Sequence, residues 1–131
     1  MLGIDTNVLV RLLVADDPPQ TRRARKLIER AVADQEPVLI SLLVVMETEW
    51  VLRSRYGFDR AGVHAALRRT LQAREFVFDD EPALEEALFN WEDSACGFAD
   101  CLIAAHQRRL GCRATATFDA RAARLPGTLQ L

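Results

Sequence analysis

The spacing of apolar residues switches between two patterns along the chain. Compact apolar runs of three to five residues alternate with longer stretches in which apolar residues recur every three or four positions. The compact runs predict strands and the longer stretches predict amphipathic helices. The predicted strands span residues 2–4, 37–40, 76–78, 114–118 and 128–131. Strands that alternate with helices are typical of an α/β fold whose parallel sheet is covered on both faces.

Cap and breaker residues mark where the predicted helices begin and end. The Pro18-Pro19 pair ends a first helix and opens a second, because proline is tolerated in a first helical turn. Ser41 is predicted to cap a helix that reaches Tyr56, and Gly57 is predicted to end that helix. Asp59 is predicted to cap the next helix. Further helices are predicted over residues 82–91 and between a loop at 93–97 and residue 111, with a helical turn at 119–123.

Length and composition favour one globular domain over residues 1–131. The chain has 131 residues, of which 50% are hydrophobic, so one continuous core is expected. No apolar run approaches the roughly 20 residues that cross a bilayer, and the amino terminus lacks the pattern of a signal peptide. We therefore expect a soluble, cytoplasmic protein.

Charge and cysteine content narrow the chemistry. The formal net charge is −2, so no global positive field attracts nucleic acid, and any RNA binding must come from local patches or metal ions. The three cysteines, Cys96, Cys101 and Cys112, are an odd number without C-x-x-C spacing. This argues against a disulfide framework and a structural zinc site, and predicts small buried thiols.

Two aspartates follow predicted strands. Asp5 comes after the first strand and Asp119 after the fourth. Ligands of open parallel sheets bind outside the carboxyl ends of the strands, which makes both residues candidates for a site. Each aspartate is also placed to cap the helical segment that follows it, so both interpretations stay open.

Two further acids lie on predicted helices. The residues one helical turn from Glu47 are apolar: Leu43, Val44, Trp50 and Val51. This predicts a carboxylate on a covered face, which needs a cation or a cavity, whereas Glu49 is expected to form a surface pair with Arg53. Asp100 lies early in its helix, where the helix dipole favours a negative charge, but its neighbours are small or apolar, which favours a functional role.

Four carboxylates brought together would need a compensating positive charge. Each pair would repel by about 3 kcal/mol at ~5 Å and an effective dielectric of 20. Because no cysteine or histidine ligand set accompanies them, all-oxygen coordination points to magnesium or manganese. Such an ion activates water and neutralises charge on a phosphate, so phosphodiester hydrolysis is the matching chemistry.

Four segments in this order resemble the PIN-domain family, and specifically the VapC toxins of bacterial toxin–antitoxin pairs. The segments are residues 3–10, 45–52, 98–105 and 116–119, which read GIDTNVLV, VMETEWVL, FADCLIAA and ATFD. The similarity covers nearly the whole chain. It implies a three-layer α/β/α sandwich with a central, mostly parallel sheet, and RNA cleavage that depends on Mg²⁺ or Mn²⁺. It also implies a homodimer that is inhibited by a cognate antitoxin protein.

The resemblance also implies roles for individual residues. The acids that would hold metal and water, directly or through bound waters, are Asp5, Glu47, Asp100 and Asp119. Their supporting hydrogen-bond partners would be Thr6, Asn7 and Thr117. Many relatives carry another acid three residues before the third acid, where this chain has Gly97. This departure implies weaker binding of one metal and leaves open whether one ion or two are used.

Other functions fit the residues less well. A haloacid-dehalogenase-type phosphatase needs an aspartate where this chain has Asn7. A response-regulator receiver needs an acidic pair, for which Asp79-Asp80 would be the candidate, and also a lysine after its fifth strand. The only lysine, Lys26, lies on a predicted helix. The remaining alternative is a catalytically degenerate PIN-like domain that binds RNA or a protein partner without cleavage. Arg11 is either a phosphate contact or a solvated side chain.

Overall fold

Short strands follow the compact apolar runs, and each is joined to the next by helices or turns. The computed structural model describes all 131 residues and divides into two compact units, Met1–Asp79 and Asp80–Leu131. The elements of the first unit are β1 (Leu2–Gly3), α1 (Thr6–Leu13), α2 (Pro18–Ala33), β2 (Val38–Ile40), α3 (Leu42–Ser54), α4 (Arg60–Gln72) and β3 (Phe76–Phe78). Those of the second are α5 (Glu81–Glu92), α6 (Phe98–Arg109), β4 (Thr115–Thr117), a 3-10 turn (Ala122–Arg124) and β5 (Thr128–Gln130).

The first unit is built on a parallel sheet of three strands in the order β1-β2-β3. Leu2 pairs with Val38, and Val38 pairs in turn with Phe76, so β2 is the central strand. The Val38 and Ile40 side chains are completely buried, as expected for a central strand covered by helices. Helix α1 packs on α2 and α3, and α3 packs on α4.

Helix caps in the first unit come from the residues that the sequence predicts. The Ser41 hydroxyl accepts the Val44 N–H at 3.3 Å, and the Asp59 carboxylate accepts the Gly62 N–H at 2.8 Å. After α3, Gly57 adopts a φ of 65°, a left-handed conformation that glycine adopts at little steric cost. The predicted starts of α3 and α4 are therefore confirmed, whereas α3 ends at Ser54, two residues before the predicted Tyr56.

The second unit pairs two packed helices with two parallel strands. Helices α5 and α6 make the most extensive helix contact of this unit, and Thr115 of β4 pairs with Thr128 of β5. The buried Trp91 ring on α5 lies edge-on to the Phe98 ring on α6, with centroids 5.2 Å apart. This contact joins the end of one helix to the start of the next.

The α/β class and the parallel strands predicted from the sequence are confirmed. Every predicted strand is present, with bounds that differ by at most one residue at either end. The prediction of one domain over residues 1–131 is untested and stays a prediction. None of the helices combines the length and the apolar character that a membrane span requires.

Candidate active site

Asp5 lies just beyond the carboxyl end of β1 and caps α1. One carboxylate oxygen, Oδ1, accepts the Val8 N–H at 3.0 Å, while the residue as a whole is exposed. Thr6 is the buried first residue of α1, and Asn7 is exposed beside it. The capping role and a role in a site are thus compatible, because the cap fixes the direction of the carboxylate and leaves the side chain at the surface.

A cavity of about 380 Å³ opens beside Asp5 in the first unit. Its walls include Asp5, Asn7 and Gln20, together with two arginines, Arg11 and Arg23. A carboxylate and guanidinium groups on the same cavity can bind a metal ion and a phosphate, respectively. The cavity therefore combines one acidic side chain with two basic ones.

Arg11 is held by protein acceptors instead of projecting into solvent. Its guanidinium donates to Gln20 Oε1 at 2.7 Å, to Asp16 Oδ1 at 3.0 Å and to the Tyr56 hydroxyl at 3.0 Å. Tyr56 in turn donates to Asp16 Oδ2 at 2.9 Å. The hydrogen bond to Tyr56 raises the pKa of Arg11 above its ordinary value. Arg11 therefore cross-links α1 to α2 and to the segment after α3, and Arg23 is the arginine of this cavity that forms no ion pair.

The structure reverses the predicted environments of Glu47 and Glu49. Glu47 is exposed, whereas Glu49 is only 4% exposed on the covered face of α3. The prediction that Glu47 projects from a covered face is therefore wrong. The predicted pair is confirmed, since Arg53 Nε donates to Glu49 Oε2 at 2.9 Å, but Glu49 itself is not at the surface.

The reversal follows from which residues α3 buries. Its covered residues are Leu42, Val45, Thr48, Glu49, Val51 and Leu52. Two large apolar side chains, Leu43 at 80% and Trp50 at 52%, are instead exposed. They flank Glu47 at helical spacing and form one outward face with it. Two of the apolar neighbours that predicted burial of Glu47, Leu43 and Trp50, are themselves uncovered, whereas Val51 is buried on the other side of the helix.

Asp100 lies in the first turn of α6 and is partly exposed. The N-cap of this helix is Gly97, which supplies no side-chain cap. A Cβ added at Gly97 would lie 3.8 Å from Asp100 Oδ2 and would meet no other atom within 4 Å. The backbone therefore has room at residue 97 for a side chain that reaches Asp100.

Two buried thiols lie on either side of this turn. Cys96 Sγ is 3.6 Å from Cys101 Sγ and 2.7 Å from the Ser94 hydroxyl. Burial, reinforced by Cys96, raises the pKa of Cys101 to about 12, so this thiol is unreactive. The prediction of buried thiols is confirmed for these two cysteines and wrong for Cys112, which is exposed in the loop after α6.

Asp119 follows β4 and is exposed. Its backbone N–H donates to Thr117 Oγ1 at 3.0 Å, and its carboxylate Oδ1 accepts the Arg121 N–H at 2.8 Å. Thr117 therefore supports the Asp119 backbone. The 3-10 turn at Ala122–Arg124 has Arg121 at its N-cap and no side-chain cap, so Asp119 does not cap it and instead holds the Arg121 N–H just before the turn. As with Asp5, a carboxylate at the end of a strand is held in a defined orientation at the surface.

Asp79 is an acid that the sequence analysis did not include in the site. It follows β3, and its Oδ1 accepts the Leu42 N–H at the start of α3 at 2.8 Å. Because β1, β2 and β3 are parallel, the residues that follow them lie at one edge of the sheet: Asp5, Ser41 and Asp79. The signal was present in the sequence, because Asp79 follows an apolar strand in the same way as Asp5.

The donor chemistry of the four predicted acids fits a hard divalent cation. All four offer carboxylate oxygens, which magnesium and manganese prefer. Asp5 and Glu47 belong to the first unit, and Asp100 and Asp119 to the second. Neither unit alone groups three or more His, Cys, Asp or Glu side chains closely enough to hold a metal ion. A shared centre of the four acids therefore stays a prediction.

Comparison with protein families identifies the family of this chain. The family model described as PIN domain matches residues 3–127, which includes all four of the predicted acids. No curated protein matches the chain.

Proposed function

The chain belongs to the PIN domain family, and from this premise we propose that it is a metal-dependent endoribonuclease, the toxin of a toxin–antitoxin pair. The family is one of nucleases, and a match over residues 3–127 supports a nuclease function for this chain. This match is the observation that carries the proposal. The exposed acids Asp5 and Asp119 at the ends of β1 and β4 add support, because strand ends are where open α/β sheets bind ligands.

The proposed metal ligands are Asp5, Glu47, Asp100 and Asp119. A bound Mg²⁺ or Mn²⁺ would supply an activated water and neutralise charge that develops on the phosphate. The contribution of the chain is to orient the carboxylates. Asp5 is oriented by the Val8 N–H, and Asp119 by the Arg121 N–H and by the support that Thr117 gives its backbone.

Exposure of these acids is consistent with a substrate as large as RNA. Asp5, Glu47 and Asp119 are exposed and Asp100 is partly exposed, so a polymer can approach each of them without opening of the fold. A buried constellation would suit a small substrate better. RNA cleavage is the activity that we propose on this basis.

The toxin assignment requires a protein inhibitor and, by the resemblance, a homodimer. The outward face of α3, with Leu43 and Trp50 beside Glu47, offers an apolar surface for such contacts. Interfaces are enriched in tryptophan and depleted in charge at their centres. The proposed antitoxin and the second protomer would both need surfaces of this kind.

The alternative function is binding of RNA or protein without cleavage. Gly97 favours it, because an acid at this position would reach toward Asp100 and is absent here. The alternative predicts weak or no binding of Mn²⁺, whereas the nuclease proposal predicts that Mn²⁺ raises the melting temperature. Stabilisation by a ligand follows RT ln(1 + [L]/Kd), or about 2.7 kcal/mol at a concentration 100 times Kd.

The test is cleavage of fluorescently labelled RNA by purified chain free of any partner. Reactions contain Mn²⁺, Mg²⁺ or a chelator, and the melting temperature is recorded under the same three conditions. The proposal predicts cleavage and thermal stabilisation with metal, and neither with chelator. Cleavage that persists in chelator would contradict metal dependence. Absence of both stabilisation by metal and cleavage of a panel of transfer, ribosomal and messenger RNA would favour the binding alternative.

A further inference from the structure

A second cavity lies entirely within the Asp80–Leu131 unit. Its volume is about 370 Å³, and Phe89, Asn90, Asp93, Arg121 and Arg124 contribute to its walls. It thus combines an aromatic ring, an amide and two guanidinium groups with one carboxylate. None of these residues belongs to the four predicted acids.

Phe89 does not contribute to the hydrophobic core. Helix α5 buries Ala83, Leu84, Ala87, Leu88 and Trp91, whereas Phe89 is 72% exposed. A single exposed apolar residue needs no explanation by itself. An exposed aromatic ring on a cavity that also presents two cations is a more specific arrangement. The ring matches the flat base of a nucleotide, and the cations match its phosphate.

The two arginines of this cavity are free of ion pairs. Arg121 and Arg124 are exposed and make no salt bridge, whereas Arg108 and Arg109 of the same unit pair with Glu86 and Asp80. Asp93 is the only acid on the cavity walls, so the lining carries a net positive charge. Unpaired arginines on a protein with a net charge of −2 form the kind of local patch that holds phosphate.

The cavity is adjacent to one of the proposed catalytic acids. Arg121 lines the cavity, and its backbone N–H donates to Asp119 Oδ1 at 2.8 Å. A nucleotide held in the cavity would therefore lie close to the Asp119 carboxylate. The hydrogen bond thus joins a residue of the cavity wall directly to Asp119.

We propose that this cavity binds one unstacked nucleotide of a single-stranded RNA substrate. The base stacks on Phe89, and the flanking phosphates lie on Arg121 and Arg124. This inference rests on the proposed function, since it names the substrate form that the nuclease takes. A paired base in a duplex has both faces covered by its neighbours, whereas an unpaired base is free to stack on an aromatic side chain.

The test measures RNA binding separately from cleavage. Fluorescence anisotropy of a labelled eight-nucleotide single-stranded RNA is recorded in chelator, so that no metal-dependent cleavage occurs. Phe89→Ala is expected to weaken binding about tenfold, within the range measured for loss of one base–aromatic stack, and Phe89→Trp is expected to retain it. Leu110→Ala is the matched control, because Leu110 is 69% exposed in the same unit and lies outside the cavity.

The phosphate contacts are tested by salt dependence. Arg124→Ala is expected to weaken binding and to reduce the slope of log K against log salt by about 0.7, the contribution of one single-strand phosphate contact. Phe89→Ala is expected to leave this slope unchanged, because stacking releases no counterion. Arg113→Ala, an exposed arginine without an ion pair outside the cavity, is the control and is expected to change the slope less.

Three comparisons between variants or substrates would overturn the inference. They are wild-type affinity in Phe89→Ala, equal affinity for a duplex of the same sequence, and equal effects of the Arg124 and Arg113 substitutions. Absence of measurable binding by the wild-type chain would also overturn it. The proposed function fails separately, through lack of metal-dependent cleavage, so a chain that cuts RNA but binds it without Phe89 would retain the function and lose this inference.

Discussion

Substitution of Asp80 by alanine is expected to destabilise the Asp80–Leu131 unit. The Asp80 side chain is only 12% exposed and accepts three hydrogen bonds. They come from the Ala83 N–H at 3.2 Å, His106 Nδ1 at 3.2 Å and Arg109 Nε at 2.7 Å. Asp80 therefore caps α5 and ties it to the far end of α6.

The magnitude follows from these three contacts. Loss of an N-cap costs about 1 kcal/mol. The bond from Arg109 is charge-assisted, and about 1.5 kcal/mol is appropriate because the Arg109 side chain is 49% exposed. The contact with His106, which is 41% exposed, adds about 0.5 kcal/mol. The expected loss is about 3 kcal/mol in the free energy of unfolding at pH 7.

The same contacts predict a pH dependence. Burial alone would raise the pKa of Asp80, but the hydrogen bonds from His106, Ala83 and Arg109 together lower it below its ordinary value of 3.8. A carboxyl group whose pKa is lower in the folded state stabilises the fold above the unfolded pKa. This contribution is lost as the pH falls through the folded pKa. The difference between wild type and Asp80→Ala should therefore be full at pH 7 and shrink below pH 4.

Urea denaturation at several pH values measures this difference, with Asp93→Ala as the matched control. Asp93 stands at the other end of α5, is exposed, and is the C-cap, where a negative charge is not favoured by the helix dipole. Its substitution should change stability by less than about 0.5 kcal/mol. Equal effects of the two substitutions, or a loss at Asp80 that does not change with pH, would refute the reasoning.

Three further predictions concern single positions. Thr48→Val should stabilise the chain by about 1 kcal/mol in urea denaturation, because the fully buried Thr48 hydroxyl has no hydrogen-bond partner. A loss of stability would imply an unrecognised partner. Gly97→Asp should tighten Mn²⁺ binding roughly tenfold in calorimetry, because the new carboxylate would lie near Asp100. At ~5 Å in water it would attract a divalent ion by about 1.7 kcal/mol. Unchanged affinity would place the metal elsewhere. A thiol reagent should label Cys112 in the folded chain and Cys101 only after unfolding, as mass spectrometry would show, because Cys112 is exposed and the pKa of Cys101 is raised to about 12.

Local signals predicted the elements of the fold well. Ser41, Asp59 and Gly57 act through backbone groups within a few residues, so their effect on helix boundaries can be read from the chain. The strands followed from compact apolar runs for the same reason. Asp5 and Asp119 were also located correctly at strand ends. Asp5 takes the capping role that was weighed against function, whereas the turn after Asp119 has no side-chain cap.

Predictions that depended on distant packing were less successful. Apolar spacing indicated a covered face around Glu47, but which side of α3 is covered depends on what packs against it, and Glu49 is buried instead. The cross-link of Arg11 to Tyr56 spans 45 positions and has no local signature. Asp79 could have been identified as a candidate site residue, because it follows a predicted strand. It was considered only as part of the acidic pair Asp79-Asp80.

The most direct measurement of the central claim is the rate of RNA cleavage by Asp100→Asn in Mn²⁺. This substitution removes one negative charge at nearly constant size, and circular dichroism establishes that the fold is retained. Asp34→Asn, an exposed aspartate after α2, is the matched control. We predict that Asp100→Asn lowers the rate at least about 100-fold, the scale seen when a group that stabilises a transition state is removed, and that Asp34→Asn cleaves at the wild-type rate. Wild-type cleavage by Asp100→Asn would contradict the proposed metal centre.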